Sequence, residues 1–170
     1  MAGINHLYDL YNKKGADFVN QLFNQYVTIN EKMDGSAFSF ERDKDTGKFK
    51  FYRRDQRNPI TLVDRTLMKY YEKPIQYIES LPPHVIQKIP RGWRFGLEYF
   101  ANTNPVEIVY DRLPKNHLIL SYVHQLDDAG KIVKTIQKKS SLDEWADLLG
   151  VEHSPIIFQG KLDEDQKSKL

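Results

Sequence analysis

The hydrophobic period of the sequence changes near residue 26, and no other feature narrows the possible folds as much. Ala16, Val19, Leu22, Phe23 and Tyr26 recur at the three-and-four spacing of one helical face, which predicts an amphipathic helix over 16–25. The period then falls to two. Apolar and polar residues alternate roughly from Val27 to Glu31, from Ala37 to Glu41 and from Lys48 to Arg53, the pattern of strands with one buried face. Asp34-Gly35 and Asp45-Thr46-Gly47 separate these runs as turn signals, so the expectation is a three-stranded antiparallel meander.

Beyond Asn58-Pro59, the apolar positions Leu67, Tyr70, Tyr71, Ile75, Ile78 and Leu81 suit a helix that Pro74 should kink or divide, because proline removes a backbone donor. Pro82-Pro83 ends it. Four more strands are expected at Trp93 to Phe100, Val106 to Tyr110, Leu118 to His124 and Ile132 to Ile136, with Asp127-Asp128-Ala129-Gly130 as the turn between the last two. A short helix from Leu142 to Leu149, capped by Ser141 and ended by Gly150, follows. Strands and helices do not alternate regularly, so the fold class is α+β, with mostly antiparallel sheets and flanking helices. Residues 1–160 are expected to form one domain, and 161–170 a polar tail.

Composition excludes several chemistries. The 170 residues include no cysteine, which rules out disulfides, thiolate metal sites and a cysteine nucleophile and fits a reducing compartment. Ten Tyr, nine Phe and two Trp supply apolar area for a core, and the net charge of +2 gives little self-repulsion. The N-terminus lacks a basic stretch followed by an apolar run, and nowhere do 18 uncharged apolar residues occur together, so a cytoplasmic protein without a membrane partner is expected. The five histidines are scattered and read as structural or exposed, so no residue is put forward as a metal ligand. No Gly-x-x-x-x-Gly-Lys occurs, which excludes a P-loop enzyme.

The segment Ile29-Asn30-Glu31-Lys32-Met33-Asp34-Gly35-Ser36 sets a lysine at the end of an expected strand, before a turn. A lysine amine is a nucleophile only in its free form, and an ordinary ammonium pKa of about 10.4 leaves little of it at neutral pH. Such a role calls for desolvation or cationic neighbours, and the strand carrying Lys48, Lys50, Arg53 and Arg54 offers cations that the meander would bring beside the turn. The surrounding order is Glu-Lys-x-Asp-Gly-Ser, a strand ending in Glu41-Arg42-Asp43, a hairpin, a strand ending in Arg53-Arg54, then Asn58-Pro59-Ile60. This order resembles the nick-sealing RNA ligase branch of the covalent nucleotidyltransferase superfamily, which also holds DNA ligases and mRNA capping enzymes.

The resemblance implies a nucleotidyltransferase (adenylylation) fold and an ATP-dependent polynucleotide ligase with magnesium as the metal. Lys32 would attack the α-phosphate of ATP and release pyrophosphate. The AMP would then pass to a 5′-phosphate end of an RNA or DNA strand, and a 3′-hydroxyl would displace it and seal the strand. By the same resemblance Glu31 would face the adenine, and Asp34 and Gly35 complete the lysine motif. Arg54 is the preferred phosphate contact, with Arg53 and Arg57 as alternatives. Trp93-Arg94-Phe95-Gly96-Leu97-Glu98-Tyr99 resembles the motif whose glutamate binds the ribose hydroxyls, which points to Glu98, although relatives place Gly and Glu side by side. His117 to Val123 occupies the place of the adenine-stacking strand, where either Leu120 or Tyr122 faces the base and Tyr122 offers the better surface.

The resemblance runs from about Val27 to Gly160 and lacks the family's last two motifs, a Glu-Gly strand and a Lys-x-Lys strand; Lys167-Ser168-Lys169 matches only in composition. The sequence thus reads as a fragment lacking its C-terminal segment, a domain whose last strands another chain supplies, or one that has lost catalysis and kept nucleotide binding. Low stability or self-association is expected of it, because unpaired strand edges attract partners. Two other readings remain: a non-catalytic nucleotide- or RNA-binding module, and a capping-type guanylyltransferase.

Overall fold

In chain order the elements are α1 (Leu7–Lys14), α2 (Ala16–Phe23), β1 (Tyr26–Asn30), β2 (Ser36–Arg42), β3 (Phe49–Arg53), α3 (Arg65–Tyr70), α4 (Glu72–Glu79), α5 (Pro83–Lys88), β4 (Trp93–Tyr99), β5 (Leu118–Leu126), β6 (Ile132–Ile136), α6 (Lys139–Leu149), β7 (Glu152–His153) and β8 (Ile156–Lys161). They come from a computed structural model that describes residues 7–53, 60, 65–104, 107–136 and 138–163. Two compact units divide the chain, one of residues 1–32 and 155–170, the other of residues 33–154.

The first unit holds α1, α2 and a two-stranded antiparallel sheet of β1 and β8, in which Tyr26 faces Lys161 and Ile29 faces Phe158. Gly15, at φ 85°, separates the two helices in a conformation that costs an L side chain energy. α2 forms where the three-and-four spacing placed it and buries Val19.

The second unit is a six-stranded sheet in the order β3-β2-β4-β5-β6, with β7 added to β5. All pairs are antiparallel except β5 with β7. Alternate residues explain one face. Phe38 and Phe40 of β2, Phe51 of β3, Phe95 and Leu97 of β4, and Leu118, Leu120 and Val123 of β5 bury themselves with Ile75, Ile78, Val85, Ile89, Leu142 and Leu149 from the helical segments. Phe40 and Phe95 stack at 4.9 Å between ring centroids. Each such side chain contributes about 1.5–3 kcal/mol by leaving water. At the end of β2, Arg42 donates from Nη1 to the carbonyls of Ile86 (3.0 Å) and Ile89 (2.8 Å), which closes the C-terminal end of α5.

The expected meander does not form. β1 pairs with β8, and both edges of β2 are taken, by β3 and β4. A tight two-residue hairpin needs left-handed φ angles at its centre, and Gly35 is not among the glycines that adopt one. Asp45-Thr46-Gly47 does reverse the chain, with Gly47 at φ 70° and the Asp43 carboxylate accepting from the Thr46 amide and hydroxyl. The long helix divides into α3 and α4 at Tyr71, three residues before Pro74, which sits in the first turn of α4 where an absent donor leaves no bond unmade. α5 was unforeseen and starts on Pro83 itself.

Two further corrections concern the later elements. Of the strand expected at Val106 to Tyr110, Val106 lies outside the described residues and 107–110 are irregular; α6 begins at Lys139 after an N-cap at Lys138, so Ser141 lies inside the helix and does not cap it. Gly150 ends α6 at φ 66° as its position predicts.

Candidate functional site

After β1 the chain leaves the first unit through Glu31 and Lys32, both exposed, and the Glu31 amide donates to the Pro155 carbonyl at 2.8 Å. Lys32 is the last residue of that unit, and Met33 is the first of the second. The residues that follow are gripped from far along the sequence. The Asp34 carboxylate accepts from the amides of Glu107 (2.7 Å) and Ile108 (2.9 Å), while its own amide donates to the Tyr110 hydroxyl at 2.8 Å. Gly35 lies so close to β4 that a Cβ there would stand 3.0 Å from Glu98 Cβ, 3.0 Å from the Phe100 ring and 3.1 Å from the Tyr99 carbonyl. Close approach, and not a turn, is what favours glycine at this position.

The side chains on the sheet face opposite the aromatic core form rows that strand register makes explicit. One row runs Lys50, Glu41, Arg94, His124, Thr135; the next runs Tyr52, Ser39, Gly96, Tyr122; a third holds Ala37, Glu98 and Ile119. Arg94 donates from Nε (3.2 Å) and Nη2 (2.8 Å) to Glu41 Oε2, and its guanidinium carbon stands 4.0 Å from the centre of the Tyr52 ring. Tyr52 also donates to Glu41 at 3.3 Å, and burial first, then the Glu41 charge, pushes its phenol pKa up. Lys50 pairs with Asp43; this hydrogen bond, with those from Thr46, holds the Asp43 carboxyl well below the usual carboxylate range. Tyr122 lies flat over Gly96, where a Cβ would collide with its ring at 2.2 Å, and stacks on His124 at 4.2 Å between centroids.

A bulge in β5 decides which residue of that strand turns to the polar face. Leu97 faces Leu120 and Gly96 faces Tyr122, so Ser121 is an extra residue and the two candidates turn to opposite faces. Leu120 is fully buried in the core, which leaves Tyr122 on the polar face. The Leu97 that separates Gly96 from Glu98 is likewise a core residue, and strand alternation keeps Gly96 and Glu98 on one face despite it.

Gly35, Glu98, Gly96 and Tyr122 therefore meet at one region of the second unit. Glu31 and Lys32 belong to the first unit, and Arg54 and Arg57 lie outside the described residues. Arg53 is exposed at the end of β3. The absent pairing of β1 with β2 removes the route by which the sequence would have carried Lys48 and Lys50 to Lys32. Arg94, Tyr52 and Tyr110 were not foreseen as site residues. Strand alternation through Gly96 and Glu98 was enough to find Arg94, whereas nothing local signals Tyr110. Among the described residues no group of three His, Asp or Glu side chains is placed to hold a metal ion, and no helix is long and apolar enough to cross a membrane.

No protein-family model matches the chain, and no curated protein matches it by sequence. Among solved structures it is similar to the apo form of a mutant RNA ligase from Naegleria gruberi, with a TM-score of 0.58 and 14% identity over 96% of this chain and 44% of that one. The chain thus spans less than half the length of that ligase. At this identity the likeness is one of fold, and the chain has an RNA-ligase-like fold.

Proposed function

We propose that this chain is the ATP-reacting part of an RNA ligase, with Lys32 as the residue that takes up AMP. The observation that carries the reading is the seating of Gly35, three residues after Lys32, against the strand of Glu98 in a ligase-like fold. A Lys-x-Asp-Gly segment needs no such contact if it is an ordinary surface turn. In the proposed step the free Lys32 amine attacks the α-phosphorus, the bond from that phosphorus to the bridging oxygen of pyrophosphate breaks, and a phosphorus–nitrogen bond forms as the nitrogen loses its proton. Catalysis of such a displacement is mostly positioning and charge neutralisation.

Glu98 supplies a carboxylate acceptor for ribose hydroxyls, and Tyr122 an aromatic surface for the base. Glu31 is assigned to the adenine and Arg54 to phosphate. Magnesium, when bound, would neutralise charge on the phosphate oxygens, and no described residue is assigned to hold it. The acceptor of the AMP is a 5′-phosphorylated RNA end, with a DNA end as the alternative.

Incubation with α-labelled ATP and magnesium tests the reading. A covalent, acid-labile adduct is expected, and Lys32→Ala abolishes it. Reversible ATP binding that Lys32→Ala leaves unchanged identifies a nucleotide- or RNA-binding module, and label taken from GTP in preference to ATP identifies a capping-type guanylyltransferase.

A further inference from the structure

We infer that Tyr110 is a positioning residue for Lys32, acting through the backbone that follows the lysine; this rests on the reading of Lys32 as the adenylylated residue. The Tyr110 hydroxyl accepts the Asp34 amide at 2.8 Å, two residues beyond the lysine and 76 residues away in sequence. Its ring meets Phe100 edge-on at 5.2 Å, and Phe100 is the side chain whose ring bounds the space above Gly35. Phe100 is fully buried and tied at both backbone groups, its amide donating to the His117 carbonyl at 2.9 Å and its carbonyl lying 2.8 Å from His117 Nδ1. Tyr110 is itself held, since its amide donates to the Thr103 carbonyl at 2.7 Å.

The backbone from Asp34 onward is thus held at three points: the amide of Asp34 by Tyr110, its carboxylate by the amides of Glu107 and Ile108, and Gly35 against Phe100 and Glu98. A nucleophile that must stand in line with a phosphorus atom gains from a tether with one conformation, because small misplacements of reacting groups carry large rate costs. Asp34 then serves as an anchor in the second unit, and the remote hydroxyl of Tyr110 completes that anchor.

Tyr110→Phe removes the acceptor oxygen and keeps the ring on Phe100. With the full chain, α-labelled ATP and magnesium, the first-order rate of Lys32 labelling at saturating ATP is expected to fall about five- to ten-fold, the worth of one hydrogen bond. The half-saturating ATP concentration and the thermal midpoint should move little. Amide hydrogen exchange is expected to quicken at Asp34 and stay unchanged at Phe100. Equal labelling rates in both chains, or unchanged exchange at Asp34, overturn the proposal alone. A rate loss that merely tracks a lowered thermal midpoint also overturns it, since it marks a packing role. No label in the unaltered chain overturns the reading of Lys32 together with the proposal.

Discussion

In residues 33–154 every member of the large buried cluster lies between Phe38 and Val151, and a six-stranded sheet supports it. In residues 1–32 and 155–170 the sheet has two strands, and among the described residues Val19 and Leu162 are the buried apolar side chains, while Tyr26 and Ile157 are 65% and 69% exposed. The closure of the smaller sheet also joins Tyr26 to Lys161 across most of the chain, a long loop whose ordering opposes folding. A two-stranded sheet is marginal by itself. Among the described residues, the one proposed to do the chemistry thus belongs to the unit with fewer buried apolar side chains, directly before a segment that the larger unit grips.

The sharpest way to break this comparison is in the larger core. Phe40→Ala should cost about 3–5 kcal/mol in urea unfolding, because it removes a fully buried ring stacked on Phe95 and leaves a cavity. A loss below about 1 kcal/mol is the size of an ordinary surface change and would show that stability does not reside there.

Acid gives the next effect. The Lys50 ammonium and Thr46 lower the folded pKa of Asp43 below the unfolded value of about 3.9, so their contribution is complete above that value and is lost as pH falls through the folded one. Asp143 beside Lys139, and Glu152 beside Arg112, shift in the same direction. Unfolding free energy should therefore fall as pH drops below about 4, and Asp43→Asn should flatten that slope. An unchanged slope in the variant would remove the Asp43 pair from the account.

The smallest effect is expected on the two-stranded sheet, where Ile157→Lys should change the unfolding free energy by no more than about 0.5 kcal/mol. A loss above about 1 kcal/mol would mean that this side chain is covered in solution, by a second copy or by further chain, and sedimentation at two concentrations separates these.

Alternation and helical spacing are local properties, and they were legible. α2, β2, β3, β4, β5, β6 and the end of α6 at Gly150 all fall where period and turn chemistry place them, because those signals are set by near neighbours in the chain whatever the partner is. Partner choice was not legible. Nothing in Val27 to Glu31 says that its edge belongs to residues 156–161, since hydrogen bonds of the backbone carry no residue identity. The Asp34-Gly35 dipeptide therefore read as a hairpin turn between neighbouring strands.

The same division runs through the candidate site. Lys32, Glu98 and Tyr122 were named through the resemblance of their surrounding motifs to those of RNA ligases. Tyr122 was preferred to Leu120 for its ring, whereas the turning of the two to opposite faces follows from a bulge at Ser121 that no periodicity announces. The clasp of Asp34 by Glu107, Ile108 and Tyr110 joins residues more than 70 positions apart, and such a contact exists only once the intervening sheet has folded. What the amino-acid order determined by itself was the hydrophobic period of each segment, and with it the helical or extended character of most of them. Which strands meet, and which distant amide or hydroxyl holds a motif in place, was decided by tertiary packing, because only burial of the whole sheet selects one pairing among the many that local pattern allows.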